Sequence, residues 1–182
     1  RQLQAKLLIS YKTAENKFIL NGSTDANPVT GMLAAATAYN GTFTGPVDRI
    51  IDAGWGQIVE DTHEFYQPTH SILNPRAAVS LGLNKAEGSG EYDLPAGSMA
   101  FSNGKLTVGG LDVVTTTGLA KTDFVTFDRN ALAYVTRLAP ELRMFEDAAL
   151  AKRNKIMFRI EGRATLAIFN NKAIVKGPLV PV

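Results

Sequence analysis

The sequence of 182 residues holds 19 Lys and Arg against 17 Asp and Glu, with 2 His, no Cys and a formal net charge of +2. With 45% hydrophobic and 20% charged residues, this composition suits one globular domain with a real core and excludes intrinsic disorder. The missing Cys exclude disulfides, thiolate catalysis, iron–sulfur clusters and Cys-based zinc sites, and no apolar run approaches the ~20 residues of a membrane span.

The chain opens at Arg1 already inside a helical pattern, without an initiator Met or a basic-then-apolar leader, which predicts further native sequence upstream. Leu3, Leu7, Leu8, Tyr11, Ala14 and Phe18 recur at three- and four-residue steps and predict a helix over 1–20, stopped at Asn21-Gly22. The Gly-, Ser-, Asp- and Asn-rich stretch Asn21–Gly31 predicts a loop. Small residues follow from Met32 to Ala38, and Asn40-Gly41 marks another turn. Pro46 opens a second amphipathic helix, with Thr44 as its expected N-cap. Val47, Ile50, Ile51, Trp55, Ile58 and Val59 share its apolar face. Gly54 and Gly56 each cost about 1 kcal/mol there, which close packing beside Trp55 would offset.

A strand is expected over Thr69–Leu73, stopped by Asn74-Pro75, and a short helix over Arg76–Leu81. From Asn84 to Asn103 the Gly, Ser, Ala and Asn content predicts a long exposed loop or irregular hairpin. Lys105–Val108 and Leu111–Thr115 flank Gly109-Gly110, a two-residue turn signal. Phe124–Phe127 and Ala131–Arg137 read as strands around Asp128-Arg129-Asn130.

From Ile156 to Ile168 the chain alternates strictly. One face carries Ile156, Phe158, Ile160, Gly162, Ala164, Leu166 and Ile168, the other Met157, Arg159, Glu161, Arg163, Thr165 and Ala167. This predicts a half-buried strand about 43 Å long at ~3.3 Å per residue, against a usual length of about five or six residues. Such an arm suits a subunit that spans distance to touch its neighbours. A final short strand is expected over Ala173–Lys176.

Charge is uneven: residues 1–91 carry 7 basic and 9 acidic side chains, and residues 92–182 carry 12 and 8. From Arg137 onward the count is 9 against 4, compatible with a face toward nucleic acid or with an ordinary solvated surface. No Lys/Arg cluster is dense enough for a DNA-binding arm.

The chemical motifs are sparse. Asp61-Thr62-His63-Glu64 with His70 is the one cluster that suggests a metal, yet its two His straddle Pro68 and match no ligand spacing. Gly97 to Lys105 resembles a phosphate loop superficially, but the glycines are too far apart and Leu106 stands where Ser or Thr should bind Mg²⁺. Gly54-Trp55-Gly56 lacks the third glycine of a dinucleotide fingerprint. Gly88-Ser89-Gly90 lies in a loop, without a strand-to-helix elbow for a nucleophile. Arg159, Glu161 and Arg163 stand at i, i+2 and i+4 on one face of the long strand. They are candidates to pair with a neighbouring subunit and set register, or to keep an exposed strand soluble.

The order of segments resembles the major capsid protein family of tailed bacteriophages, whose fold encapsulin shells share. The residues that carry the resemblance run through the chain. A helix ends in Phe18-Ile19-Leu20-Asn21-Gly22, followed by a loop and Asn27-Pro28-Val29-Thr30-Gly31-Met32-Leu33. Then come Ile72-Leu73-Asn74-Pro75, the Gly110-Leu111-Asp112-Val113-Val114 strand, Lys121–Phe127, and Arg153 through Arg163 with Ala173. Family members carry an N-terminal arm, an extended hairpin and the start of a spine helix ahead of the matched region, and these are missing here. A family element of the form "lvGDf" is represented only by Lys121-Thr122-Asp123-Phe124. Some members cross-link through a Lys–Asn isopeptide bond, for which neither partner is assigned in this chain.

The resemblance implies an α+β (mixed α/β) fold, with a central sheet-and-helix axial domain and an elongated peripheral part containing a long helix and a long strand. Residues 1–31 would be the peripheral helix and loop, 32–150 the axial domain, and 151–182 the long peripheral strand with the C-terminal strand. The implied function is a structural subunit of an icosahedral phage or prophage capsid, assembling as hexamers and pentamers around packaged DNA. It would be built in the host bacterial cytoplasm, with no catalytic, cofactor or metal site. Copies of itself, scaffold or portal proteins and non-specific DNA are the implied partners, with no membrane. The alternatives are an encapsulin-like compartment for protein cargo, and a small soluble α/β enzyme whose pocket would hold perturbed carboxylates or His63 and His70.

Overall fold

The computed structural model describes residues 2–24, 28–83, 99–102, 105–145 and 152–180. The expected loop over 84–103 lies outside the described residues apart from 99–102, and so do the Gly88-Ser89-Gly90 stretch and Gly97.

Helix α1 spans Gln2–Asn21 and stops where the sequence places its signal. Gly22 takes φ +76°, and a Cβ there would run into the carbonyl oxygen of Val29, so only glycine suits this stop. Gly22–Ser23 (β1) pairs antiparallel with Val29–Thr30 (β2). A single turn, Met32–Ala35 (α2), and the short strand Thr37–Ala38 (β3) follow.

The second amphipathic segment forms one rod of three parts: Pro46–Ile51 (α3), a π-helical turn over Asp52–Ile58, and Val59–Asp61 (α4). Pro46 occupies the first helical position, so the N-cap is Gly45 rather than Thr44, and no side chain caps it. The wider i→i+5 turn shifts the phase of the buried face. Ala53, Gly54, Gln57 and Ile58 turn inward, while Trp55, expected in the apolar face, is 45% exposed and donates its indole N–H to the Gly109 carbonyl at 2.9 Å. Close packing falls at Gly54 alone, whose added Cβ would stand 3.1–3.3 Å from Pro68, Thr126 and Leu111. Gln57, buried, is stitched to the strand region beside it: its amide donates to Ala38 O and its oxygen accepts from Asn40 N–H.

His70–Leu73 (β4) leads through Asn74 into Pro75–Leu83 (α5). The Asn74 oxygen accepts the Arg76 N–H at 3.1 Å and its amide donates to Leu119 O at 2.9 Å, holding the step from strand to helix. Met99–Ser102 (β5), Lys105–Val108 (β6), Leu111–Thr115 (β7) and Asp123–Phe127 (β8) follow. The β6–β7 turn is Gly109-Gly110, both at positive φ, as a two-residue hairpin requires. Leu132–Phe145 (β9), Met157–Ile168 (β10) and Ile174–Pro178 (β11) complete the chain.

Seven strands form one sheet in the order β3-β11-β8-β4-β7-β6-β5. Its two faces carry separate cores. Val47, Ile50, Ala53, Ile58, Leu73, Ala77, Phe124 and Val175 pack in one, beneath α5 and the π-containing rod. Leu20, Met32, Ile72, Val125, Phe127, Leu166 and Ile174 pack in the other, beneath the end of α1 and α2. Central strands buried on both faces read as continuous apolar runs, and β8 is buried at four consecutive residues.

β9 and β10 stand apart as a two-stranded antiparallel ribbon. Strand pairing therefore cuts across the expected divisions. β9 extends to Phe145, well past the expected end at Arg137, and joins β10 rather than the large sheet. β11 pairs with β3 and β8 inside that sheet although the sequence groups it with the long strand. The reason is burial: Ile174 and Val175 point into the two cores on opposite faces.

Candidate assembly surface

The alternation that predicts β10 also sets the two faces of the ribbon. Phe158, Ile160, Gly162, Ala164, Leu166 and Ile168 share the face on which α1 lies, and Leu166 at its base is buried in the second core. Register gives each residue a partner: Leu166 opposite Tyr134, Ile160 opposite Leu142 and Phe158 opposite Met144. Between Glu161↔Glu141 and Arg163↔Leu138, Gly162 alone faces two residues, Ala139 and Pro140. Pro140 thus sits at a β-bulge, where its missing N–H removes no ladder bond.

Helix α1 is fastened to the ribbon beside this bulge. Tyr11 lies against Gly162 so closely that a Cβ would strike its hydroxyl. The Tyr134 hydroxyl donates to Glu15 Oε1 at 2.6 Å. Burial, then the hydrogen bond to Glu15, pushes the Tyr134 hydroxyl pKa up, and burial with the Glu15 charge raises that of Tyr11. A groove of about 410 Å³ runs between the two elements, lined by Tyr11, Phe18, Val29, Tyr134, Gly162 and Arg163 among others. It is open, and its carboxylate already accepts from Tyr134.

Beyond that joint both elements lose their cover. Of the expected apolar face of α1, Leu7, Tyr11 and Phe18 are half-buried, whereas Leu3, Leu8 and Ala14 are exposed, together with Ile9 at 65%. The helix meets the ribbon from Tyr11 down to Leu20, and its residues before Tyr11 are exposed apart from half-buried Leu7. On the outer ribbon Leu142, Met144, Ile156 and Met157 are exposed, Met144 at 61%. A two-stranded ribbon is marginal in water by itself, and exposed apolar side chains clustered on it and on α1 mark an interaction surface.

Arg159, Glu161 and Arg163 come together on the opposite face of the ribbon. Glu161 lies between the two arginines, 2.9 Å from Arg159 and 3.5 Å from Arg163. Arg159 also stacks over the Phe145 ring, 4.7 Å from its centroid. β9 adds a second pair absent from the sequence expectation, Arg143 with Glu141 at 2.7 Å. The signal was present: Glu141 and Arg143 alternate with Leu142 and Met144 as the charges of β10 do with its apolar residues. Pro140, a residue that argues against a strand interior, immediately precedes it.

The remaining sequence candidates stay apart. His63 lies at positive φ in the turn after α4, while His70 starts β4, stacked on Phe127 and hydrogen-bonded to Thr69 Oγ1. Among the described residues no group of three or more His, Asp or Glu is placed to hold a metal. None of the described helices is long and apolar enough to cross a membrane.

The model of the phage capsid family matches residues 2–178. Among solved structures, a chain of Gordonia phage Cozz superposes with a TM-score of 0.69 at 15% identity, covering 97% of this chain and 61% of that one. The capsid of an empty GTA particle gives 0.66 at 15% identity over 99% of this chain and 66% of the other. An encapsulin complex from Synechococcus elongatus gives 0.63 at 13% identity over 98% and 64%. At these identities the likeness is one of fold, and the chain spans less than two thirds of each of those three chains. No curated protein sequence matches.

Proposed function

This chain belongs to the phage capsid family, and from that premise we propose that it is a structural subunit that assembles with copies of itself into an icosahedral shell around packaged DNA. The observation that carries the reading is the β9–β10 ribbon. It is long, outside the main sheet, and bears exposed apolar side chains next to an equally uncovered helix. Within one chain that surface has no partner among the described residues; in a shell, neighbouring subunits supply it. The seven-stranded sheet with its helices forms the axial part, toward the centre of hexamers and pentamers. Helix α1 and the ribbon form the peripheral part.

The subunit does no covalent chemistry in this reading. Apolar burial between neighbours supplies most of the affinity, and Arg159, Glu161 and Arg163 contribute orientation. Contact with DNA is non-specific and weakens with salt. Scaffold and portal proteins would be further partners, the host bacterial cytoplasm the site of assembly, and the virion the final location.

Negative-stain electron microscopy of the full natural product containing this chain tests the proposal. Closed shells, or rings of five or six subunits, are expected. Uniform small particles at concentrations where shells form would overturn it. Nuclease-protected DNA inside the shells is expected; shells that enclose protein instead would favour the encapsulin-like alternative, whose fold is shared.

A further inference from the structure

Three Asn-Gly steps occur in the chain, at Asn21, Asn40 and Asn103, and the third lies outside the described residues. Asparagine is a chemically labile residue, most of all before glycine, which has no Cβ to obstruct approach of its amide nitrogen to the asparagine side-chain carbonyl. Whether that nitrogen attacks depends on the fold, because it must be free to swing onto Cγ in the right geometry.

At Asn21-Gly22 both groups are held. Asn21 Nδ2 donates to Lys17 O at 3.2 Å. Gly22 pairs with Thr30, and the Gly31 backbone packs so closely over the Gly22 nitrogen that a Cβ on Gly31 would strike it. Asn40-Gly41 has neither restraint. It lies between β3 and α3, in no helix or strand, with Asn40 exposed. Among the described residues no hydrogen bond engages the Asn40 side chain or the Gly41 N–H. The one tether, Asn40 N–H to Gln57 Oε1 at 3.1 Å, fixes the peptide before Asn40 and not the one after it.

We propose that Asn40 is a self-modification site, with its own side-chain amide as substrate and the Gly41 nitrogen as nucleophile. That nitrogen bonds to Asn40 Cγ, the Cγ–Nδ2 bond breaks, and Nδ2 leaves as ammonia with the Gly41 amide proton. Water then opens the cyclic imide. Addition at Cγ breaks the new bond and leaves an ordinary aspartate. Addition at the main-chain carbonyl carbon breaks the original peptide bond and leaves isoaspartate, in which the chain runs through Cγ.

The product disturbs a close contact. Gly41 packs on the Tyr39 hydroxyl and the Asp52 carboxylate with no room for a Cβ, and those two groups are hydrogen-bonded at 2.7 Å. Isoaspartate lengthens the backbone by one carbon at this point and adds a negative charge to a stretch packed on Asp52, so it loosens the tie between Tyr39 and the π-helical turn.

The full natural product containing this chain, incubated at mildly alkaline pH, tests this. Fragmentation mass spectrometry follows amide-to-acid conversion at each asparagine, and isoaspartyl methyltransferase labelling identifies isoaspartate. Asn40 is expected to convert about tenfold or more faster than Asn21, whose reaction must await opening of the helix end. In urea the two should convert at similar rates. The aged wild type should melt at a lower temperature, whereas aged Asn40→Gln, whose longer side chain closes the imide far less readily, should keep its melting temperature. Equal conversion at both sites in the folded protein, or none at Asn40, would overturn the proposal. An Asn40 preference that persists in urea would overturn it too, since local sequence and not the fold would then be the cause. An equal fall in the melting temperature of aged Asn40→Gln would overturn the coupling to Tyr39 and Asp52.

Discussion

The Tyr134 hydroxyl donates to the Glu15 carboxylate at 2.6 Å, joining residues 119 apart in the chain. This bond ties the ribbon to α1 at the point where the helix leaves the core. Buried Leu20 anchors one end of the helix, and Tyr11 against Gly162 completes the joint. Tyr134→Phe should cost about 1 kcal/mol, as for a hydrogen bond lost at a half-buried site. Amide exchange is the informative measurement: amides of α1 should exchange faster while those of β4 and β8 keep their protection. Equal acceleration in both would show that the bond supports the whole fold rather than the joint.

A second tyrosine gives the fold a pH limit. Tyr39 donates to Asp52 Oδ2 at 2.7 Å, and burial followed by that bond pushes its pKa from 10.0 up to about 12. A folded-state pKa above the unfolded one means the stabilisation is full below pH 10 and is lost as pH rises toward 12. Urea midpoints should hold steady below pH 10 and fall beyond it, with Tyr134 adding to the same decline. Tyr39→Phe should lower the midpoint at pH 8 and make the alkaline fall shallower. An unchanged alkaline slope in that variant would remove Tyr39 from the account.

The two glycines of the π-turn should behave differently. At Gly54 a methyl group would meet Pro68, Thr126 and Leu111 at 3.1–3.3 Å. Gly54→Ala should therefore destabilise by about 1–3 kcal/mol through overpacking, less the ~1 kcal/mol gained in helix propensity. At Gly56 the added methyl meets only the Asp52 carboxylate, which Tyr39 holds by a hydrogen bond, so Gly56→Ala should cost less than Gly54→Ala and act through that bond rather than through the core. Thermal melts of the pair decide this, and equal losses would contradict the packing geometry.

The exposed apolar residues should matter to assembly and not to folding. Leu8→Gln and Met144→Ser alter side chains that are 46% and 61% exposed, so each should change stability by no more than about 0.5 kcal/mol. In the full product the same changes should reduce shell yield. Loss of folding without loss of assembly would reverse the roles assigned to this surface.

Glu161→Lys places a third positive charge between Arg159 and Arg163, which now share its carboxylate. Exposed pairs of this kind contribute little to folding, so the melting temperature should stay close to wild type while particle yield drops. Normal yield would rule out Glu161 as an assembly residue.

Several features were readable residue by residue. Asn21-Gly22 ends a helix, Gly109-Gly110 makes a hairpin, and strict alternation from Met157 to Ile168 makes a strand, because each depends on a backbone preference or on the side-chain period of the local chain. Those local rules fail where the deciding partner is distant. The π-turn turned Trp55 outward because Gly54 had to approach Thr126 and Leu111 on the sheet, which no spacing within Pro46–Asp61 announces. The strand expected over Ala131–Arg137 runs on to Phe145, and only pairing with β10 shows that Pro140 falls in a bulge.

The candidate site divides in the same way. Arg159, Glu161 and Arg163 were legible from alternation, but the like-charged residues opposite them depend on a register between strands separated by residues 146–156. Periodicity determined by itself the long N-terminal helix and the overlong strand, because burial and propensity act along the chain, while the α+β fold came from the resemblance carried by the order of the segments. Tertiary structure alone decided which strands share a sheet, which apolar face of α1 is left uncovered, and which charges stand side by side. Those outcomes are set by contacts between residues far apart in sequence, where hydrogen-bond pairing and core burial outweigh any local preference.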